Sequence, residues 1–254
     1  MRLLLFDVDG TLVLTGGAAA RAMDEAFHEV FGVQGAFDHV PMPGRTDGAI
    51  LVDAFVRALP QSQILAEALS EAGVRPVDDQ VARFKAAYLA RFAEEIHKPF
   101  PVDPAKPSRH RFKGVLPGVR ELLDALSSRP DMFLGLLTGN YEQGARIKLE
   151  YFDLWRYFAC GAFGDDAVHR HELVPVAIAR SRQAGCPALD PHDVVIIGDT
   201  PLDVACADAA GIRCVAVATG GYSVDDLQAA GADVVLESLA DTDAVVRGLV
   251  GSAR

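Results

Sequence analysis

A short apolar run at the start of the chain ends in two carboxylates. The run Leu3–Phe6 is followed at positions 7–12 by Asp-Val-Asp-Gly-Thr-Leu. A buried strand of a parallel sheet is a continuous apolar run, and ligands of open α/β sheets gather beyond the carboxyl ends of such strands. Because Asp7 and Asp9 directly follow the run, we expect both side chains at a ligand-binding edge of a parallel sheet.

A second apolar run ends in the same way. Val194–Gly198 is followed by Asp199-Thr-Pro-Leu-Asp203. An isolated Asp-x-Asp pair is more often a turn or a helix cap than a catalytic pair. Here, however, the two runs bring four acids to one sheet edge, and such a cluster repels itself unless a cation holds it.

Strand and helix patterns alternate through the second half of the chain. Apolar runs predict strands at 133–137, 160–163, 194–198, 214–218 and 234–236, with helical segments between them. Repeated strand–helix–strand units imply right-handed crossovers and a doubly wound parallel sheet. The fold class is therefore predicted as α/β.

The region that follows the first strand is helical instead. Apolar residues recur at helical spacing in 19–31, 50–58, 64–72 and 77–96, and a connector containing Pro99, Pro101, Pro104 and Pro107 closes the region. No strand is predicted there. We expect a core domain at 1–14 and 114–254 and an inserted α-helical domain at 15–113.

Asp-x-Asp-Gly-Thr-Leu at the first strand and Gly-Asp-x-x-x-Asp late in the chain resemble the motifs of the haloacid dehalogenase superfamily, specifically its magnesium-dependent phosphatases. The resemblance spans nearly the whole chain. It implies a Rossmann-like core with an inserted helical cap that closes over the carboxyl edge of the sheet.

The resemblance also implies roles for the acids. Asp7 is the expected nucleophile, forming an aspartyl-phosphate, and a ligand of Mg²⁺. Asp9 is the expected general acid and then base, with its backbone carbonyl on the metal. Asp199 is the expected third ligand. Asp203 is expected not to bind the metal itself but to orient the metal's waters or the cation that binds the phosphate. Gly10 lets the backbone turn sharply beneath the phosphate.

Three further positions follow the strand at 133–137. Thr138 offers a hydroxyl, and Gly139 and Asn140 offer backbone amides at the start of a helix, which together favour an anion. A plain helix-capping turn is the alternative interpretation. In the helical insertion, Arg45 lies in a loop where the family's caps carry a substrate-specificity loop, so it is predicted to contact the substrate; a surface arginine is the alternative.

The resemblance also implies a cation that binds the phosphate. Family members usually supply a lysine from a helix before the metal-binding strand, and no lysine follows Lys148 in this chain. Arg170 is the best candidate to clamp the phosphate, since arginine can form two parallel hydrogen bonds. The adjacent His169 and His171 are interpreted as a polar helix start.

Charge and composition restrict the partners. The net charge is −11, which disfavours nucleic acid and anionic membrane surfaces as partners. The four cysteines show no Cys-x-x-Cys spacing, and the amino terminus shows neither a signal peptide nor a membrane-spanning segment. We expect a cytoplasmic enzyme that acts on a small phosphorylated metabolite. Nothing in the sequence indicates an oligomeric state.

Four alternatives to a phosphatase remain. A metal-independent dehalogenase would not need Asp9, Asp199 and Asp203, so their presence argues against it. A phosphonate-cleaving relative would need a lysine in the cap, and the loop around Gly44 has none. A sugar-phosphate mutase is compatible with the core motifs. A metal-binding regulatory protein without turnover is disfavoured by the intact set of acids. Phosphoglycolate is the best single substrate by analogy with the family.

Overall fold

A computed structural model describes residues 1–58, 60, 74–99 and 112–250. The strands are β1 (Arg2–Phe6), β2 (Val13–Thr15), β3 (Lys113–Val115), β4 (Met132–Leu137), β5 (Cys160–Ala162), β6 (Val194–Gly198), β7 (Arg213–Val217) and β8 (Val234–Leu236). The α-helices within these ranges are α1 (Ala18–Phe31), α2 (Asp47–Ala58), α3 (Val74–Glu95), α4 (Val119–Ser127), α5 (Glu142–Tyr151), α6 (Leu173–Gln183), α7 (Pro201–Ala210), α8 (Val224–Ala229) and α9 (Thr242–Val250).

Six parallel strands form one sheet in the order β5-β4-β1-β6-β7-β8. The chain runs outward from β1 through β4 to β5, then returns to the other side of β1 and continues through β6, β7 and β8. The strand order therefore reverses between β1 and β6, and ligands of doubly wound sheets bind at such a point. The predicted α/β fold is confirmed, and it places Asp7 and Asp199 at this reversal.

Both faces of β1 are buried. Leu4 and Phe6 belong to one apolar cluster, whereas Leu3 and Leu5 belong to another on the opposite face. Successive side chains of a strand point to opposite faces, so helices on both sides of the sheet require an apolar residue at every position. This arrangement explains the uninterrupted apolar run in the sequence.

The helices α1, α2 and α3 share a third apolar cluster. Phe27 lies at its centre, with its ring 4.6 Å from that of Phe31 and 6.0 Å from that of Phe84. An ion pair of 2.7 Å between Arg21 and Glu95 joins α1 to α3. The helical stripes predicted at 19–31, 50–58 and 77–96 are thus confirmed, and the division into domains at 15–113 stays a prediction.

Two predicted features of this region lie outside the described residues. These are the helix at 64–72 and the part of the connector that contains Pro101, Pro104 and Pro107. Among the helices of the described ranges, none combines the length and the apolar composition that a bilayer crossing requires.

A two-stranded antiparallel ribbon joins the helical insertion to the sheet. β2 pairs with β3, with Val13 opposite Val115 and Thr15 opposite Lys113. The sequence analysis predicts no strand in 15–113, so the strand residues Thr15 and Lys113 correct it. Each strand has only three residues, too few for a hydrophobic pattern to reveal. Both predicted domain boundaries fall inside this ribbon.

Candidate active site

The two strand ends bring three acids together. Asp7 directly follows β1, Asp199 directly follows β6, and Asp203 lies in the first turn of α7. One carboxylate oxygen of each lies within 4.8 Å of the others, and all three residues are buried. Asp203 is fixed by the start of its helix, because its Oδ2 accepts hydrogen bonds from the backbone N–H and the hydroxyl of Thr200, at 3.0 and 2.7 Å.

Burial and mutual repulsion disfavour the charged forms of these acids. Burial raises the pKa of the Asp7 carboxyl to about 6, although the neighbouring Arg170 guanidinium acts in the opposite direction. Burial also raises the pKa of Asp199 well above its ordinary value, and the charges of Asp7 and Asp203 raise it further. The cluster therefore needs added positive charge to ionise fully near neutral pH.

Arg170 supplies part of that charge. It lies in the 3-10 turn that precedes α6, and its side chain is buried. Its Nη2 lies 3.0 Å from Asp7 Oδ1 and 2.6 Å from Asp203 Oδ1, and its Nη1 donates to the carbonyl of Gly44 at 3.1 Å. The structure thus places Arg170 against the predicted nucleophile, with Asp203 behind it.

The surroundings of Asp199 fit a small hard cation. A Cβ atom added at Gly10 or at Gly220 would overlap the Asp199 carboxylate, and the φ of Gly10 is 82°. Thr11 holds Asp199 with a hydrogen bond of 3.3 Å from its hydroxyl to Oδ1. The donors are all oxygens, which hard divalent ions such as Mg²⁺ prefer. The donor set and its glycine cradle are therefore compatible with a magnesium ion.

A second cluster surrounds Asp9. Its Oδ2 accepts hydrogen bonds from Lys148 Nζ at 2.5 Å and from Asn140 Nδ2 at 2.8 Å. Lys148 also donates to Asn140 Oδ1 at 2.6 Å, and Asn140 donates to the hydroxyl of Thr138 at 2.7 Å. Asn140 thus lies beside Asp9 and contributes its side chain there, whereas its backbone N–H donates to the Thr138 hydroxyl at 3.4 Å.

The sequence analysis missed Lys148, although a signal was present. Lys148 lies three residues after Ala145 and directly before Leu149, on the buried side of α5. A lysine on an apolar helical stripe is rarely fully buried unless its ammonium group has a partner. Its position therefore indicates an acid nearby, but not which one.

The loop after β4 also carries a contact to the helical insertion. The backbone N–H of Asp47 donates to the carbonyl of Gly139 at 2.7 Å, and Asp47 Oδ2 accepts from the backbone N–H of Tyr141 at 2.8 Å. A Cβ atom added at Gly139 would clash with the backbone of Arg45. Gly139 is therefore a point of close approach between the two parts of the chain.

Asp47 is a second residue that the sequence analysis missed. It is buried at the start of α2, and burial raises the pKa of its carboxyl to about 7, with Lys148 acting in the opposite direction. It precedes Ile50 and Leu51, so it falls on the apolar stripe of α2. An acid on such a stripe is the available sequence signal.

The acids line one wall of a cavity of about 170 Å³. We call the charged residues Asp7, Asp9, Asp199, Asp203 and Arg170 the floor. We call the residues from the helical insertion, Met23, Met42, Asp47, Ile50 and Tyr88, the roof. All but Asp203 line the cavity.

The roof is mainly apolar and offers few polar groups. The hydroxyl of Tyr88 is buried and finds no hydrogen-bond partner within the described ranges. The guanidinium of Arg45 is held on α2, where Nη1 lies 2.7 Å from Asp53 Oδ2 and Nη2 donates to the carbonyl of Ala49 at 3.1 Å. Arg45 lines the same cavity as the floor residues, and its guanidinium is paired with Asp53, so a contact between Arg45 and the substrate stays a prediction.

Comparisons with known proteins agree with this geometry. A family model described as HAD-hydrolase-like matches residues 165–242. A phosphoglycolate phosphatase of Pseudomonas savastanoi is 28% identical over 86% of this chain and 70% of its own. A probable phosphatase, IndB, of Dickeya dadantii is 27% identical over 98% of this chain and 94% of its own. The crystal structure of a predicted phosphoglycolate phosphatase from Haemophilus somnus aligns with a TM-score of 0.65 at 18% identity, covering 97% of this chain and 98% of that one.

The partial family-model match and the relatives therefore support the haloacid dehalogenase superfamily, which the strand-end motifs predicted. The two curated relatives are named as phosphatases, which supports the same class of enzyme for this chain.

Proposed function

We propose that the protein is a magnesium-dependent phosphatase that hydrolyses a small phosphomonoester through an aspartyl-phosphate on Asp7. The observation that carries the proposal is the pairing of Asp7 with Arg170 at 3.0 Å inside a cluster of three buried acids. A carboxylate that approaches a phosphate dianion at about 3.5 Å meets a repulsion on the order of 10 kcal/mol at an effective dielectric constant of about 20. Phosphoryl transfer at this site therefore depends on the cations that surround Asp7.

In the first step, a carboxylate oxygen of Asp7 forms a bond to phosphorus while the ester P–O bond breaks. The electron pair of that bond leaves with the alcohol oxygen, which takes a proton from Asp9. The products are the aspartyl-phosphate and the free alcohol. Arg170 stabilises the charge on the phosphoryl oxygens, and the cavity walls exclude bulk water.

In the second step, water attacks the same phosphorus while Asp9 accepts one of its protons. The bond between phosphorus and the Asp7 oxygen breaks, which restores the carboxylate and releases inorganic phosphate. The sum is ester plus water giving alcohol plus phosphate. Thr138, Gly139 and Asn140 lie at the strand end beside Asp9, where a hydroxyl and backbone amides suit phosphate binding.

We expect Asp7, Asp199 and the backbone carbonyl of Asp9 to hold the magnesium ion. When bound, magnesium supplies positive charge that offsets the repulsion between the phosphate and the acids. Asp203 is assigned a different role, because both of its oxygens are engaged by Arg170 and Thr200. It holds the phosphate-binding cation in place.

The cavity supports a substrate with a small leaving group. Its volume of about 170 Å³ and its apolar roof suit an alcohol of a few carbon atoms. Phosphoglycolate is the first candidate, since it is the substrate in the names of several relatives. A cytoplasmic location and the lack of nucleic-acid partners stay predictions from composition.

The direct test is phosphate release from a panel of small phosphomonoesters with phosphoglycolate among them. We expect release in magnesium and none in excess chelator, and Asp7→Asn should abolish it while the fold is retained. Asp225→Asn, at an exposed position on α8, is the matched control. A beryllofluoride phosphate mimic should bind the wild type at Asp7 and not the Asp7→Asn variant.

The remaining alternatives give other results in the same assay. Interconversion of phosphate positions on a sugar phosphate without release would indicate a mutase. Activity that persists in chelator would remove the role of the metal. Magnesium binding without turnover of any ester would leave a regulatory protein.

A further inference from the structure

Lys148 is a buried lysine that the proposed reaction has not used so far. Only 2% of the residue is exposed, and the ring of Phe92 lies 5.7 Å from its ammonium nitrogen. An ammonium group buried without a partner costs several kcal/mol. Its two short contacts, to Asp9 Oδ2 at 2.5 Å and to Asn140 Oδ1 at 2.6 Å, offset that cost.

These contacts act on one oxygen of Asp9. Oδ2 accepts from both Lys148 and Asn140, whereas Oδ1 has no hydrogen-bond partner within the described ranges. The Asp9 side chain is 42% exposed, in contrast to the buried Asp7. An exposed carboxylate would rotate freely if nothing held it. Here one oxygen is fixed from behind, and the other remains available to a ligand in the cavity.

The support extends back to the sheet. Asn140 is itself held by the hydroxyl of Thr138, which directly follows β4 and is fully buried. Lys148 lies on α5, the helix that begins immediately after this loop. The residues that orient Asp9 are therefore themselves held by a strand end and a helix. Both are rigid elements, so the orientation does not depend on a loop alone.

We propose that Lys148 is a positioning residue that fixes Asp9 for proton transfer to and from the substrate. The inference rests on the proposed function, since it assumes that Asp9 protonates the leaving alcohol. The two buried cations then have different roles. Arg170 contacts the nucleophile and the phosphate, and Lys148 orients the group that exchanges protons.

A proton donor matters most when the leaving group is poor. An alkyl phosphate releases a strongly basic alkoxide and needs Asp9, whereas p-nitrophenyl phosphate releases a stable anion and needs it little. Loss of general-acid catalysis or of its alignment typically costs about 10²-fold. The two substrates therefore separate the positioning of Asp9 from all other functions of the site.

The test compares Lys148→Met with the wild type in magnesium, using ethyl phosphate and p-nitrophenyl phosphate. We expect kcat/KM to fall about 10²-fold for ethyl phosphate and less than about threefold for p-nitrophenyl phosphate. For p-nitrophenyl phosphate, kcat and KM should fall together, since hydrolysis of the intermediate still needs Asp9 as base. In an Asp9→Asn background, Lys148→Met should have little further effect.

Lys98→Met is the matched control, because Lys98 is exposed and pairs with Glu95 away from the cavity. Lys148→Gln keeps one hydrogen-bond donor, so it should give a smaller loss of the same kind, and it carries the test if Lys148→Met does not fold. Equal losses on both esters, or a rise in KM alone, would overturn the inference while leaving the phosphatase in place. A wild type that hydrolyses neither ester nor any other phosphomonoester in magnesium would overturn the proposed function itself.

Discussion

The floor and the roof of the cavity differ in charge and in the interactions that hold their side chains. The floor gathers four carboxylates and an arginine, whereas the roof combines three apolar side chains with Asp47 and Tyr88. Charge on the floor is balanced by neighbouring charge. On the roof, the one acid is held by backbone N–H and carbonyl groups. In the proposed reaction, charged groups therefore surround the phosphate, and the roof provides the surface that meets the leaving group.

Among the variants that should keep some activity, the largest expected effect tests the floor. Arg170→Ala removes the guanidinium that lies beside Asp7 and Asp203, so charge on the phosphoryl group loses a fixed partner. We expect a loss of about 2–4 kcal/mol of transition-state stabilisation, or roughly 30- to 1000-fold in kcat/KM. Steady-state kinetics with a phosphomonoester measure it, with the exposed Arg182→Ala as control. A loss of less than about fivefold would show that another cation serves the phosphate.

Asp199→Ala tests whether the floor is arranged for a metal. Removal of this acid should weaken magnesium binding at least about tenfold, which corresponds to about 1.4 kcal/mol. Without metal the same change should raise the melting temperature, because it relieves repulsion from Asp7 and Asp203. Calorimetric titration measures the magnesium affinity, and thermal melting without metal measures the change in stability. Asp225→Ala is the control for both. An unchanged magnesium affinity would show that Asp199 is not a ligand and that the metal binds at another site.

Asp47→Asn tests the roof through pH. The pKa of Asp47 is about 7 in the folded protein and near 3.8 in an unfolded chain, so the folded state binds more protons between these values. Its contribution to the free energy of unfolding therefore decreases as pH rises from about 4 to about 7. The amide introduced by the substitution cannot ionise, but its oxygen can still accept from the Tyr141 N–H.

The variant should accordingly melt several degrees higher than the wild type at pH 8 and at nearly the same temperature at pH 4. Each kcal/mol corresponds to about 2–4 °C in a chain of this size. The measurement is thermal melting in chelator, because Asp7 and Asp199 then titrate alike in both proteins. Identical pH slopes for the two would show that Asp47 is not the group that titrates.

Arg45→Ala should give the smallest effect. The sequence predicted a substrate contact, whereas the structure pairs the guanidinium with Asp53 at 2.7 Å on a partly exposed surface. Such pairs contribute about 0–1 kcal/mol. We expect Arg45→Ala and Asp53→Ala to change kcat/KM by less than about threefold on any ester. A selective loss with Arg45→Ala on phosphoglycolate would restore the predicted contact.

The sequence was most informative where function depends on a strand end. Asp7 and Asp199 could be placed because an acid that directly follows a buried apolar run has only one edge of the sheet to occupy. Arg170 could be selected only through the family resemblance, and the structure brings it to Asp7. In these cases local sequence was enough to bring the groups to a common edge.

Lys148 and Asp47 could not be placed in this way. Each lies within a helical pattern, and its partner depends on how that helix packs against residues distant in the sequence. Lys148 reaches Asp9 across 139 positions, and Asp47 reaches Tyr141 across 94. A helical period shows which side of the helix is buried, but the identity of the neighbour requires the packed structure.

The ribbon of β2 and β3 has a consequence for how the molecule could have been assembled. Thr15 lies opposite Lys113, so the helical segment leaves the sheet-bearing part and re-enters it at adjacent points. The entropic cost of closing such a segment grows only slowly with its length, by about 0.6 kcal/mol for each doubling. Segments inserted at such points are exchanged with little cost to the host. The ribbon therefore makes the roof a replaceable module, and a lineage could acquire a new substrate by changing the roof while it keeps the floor.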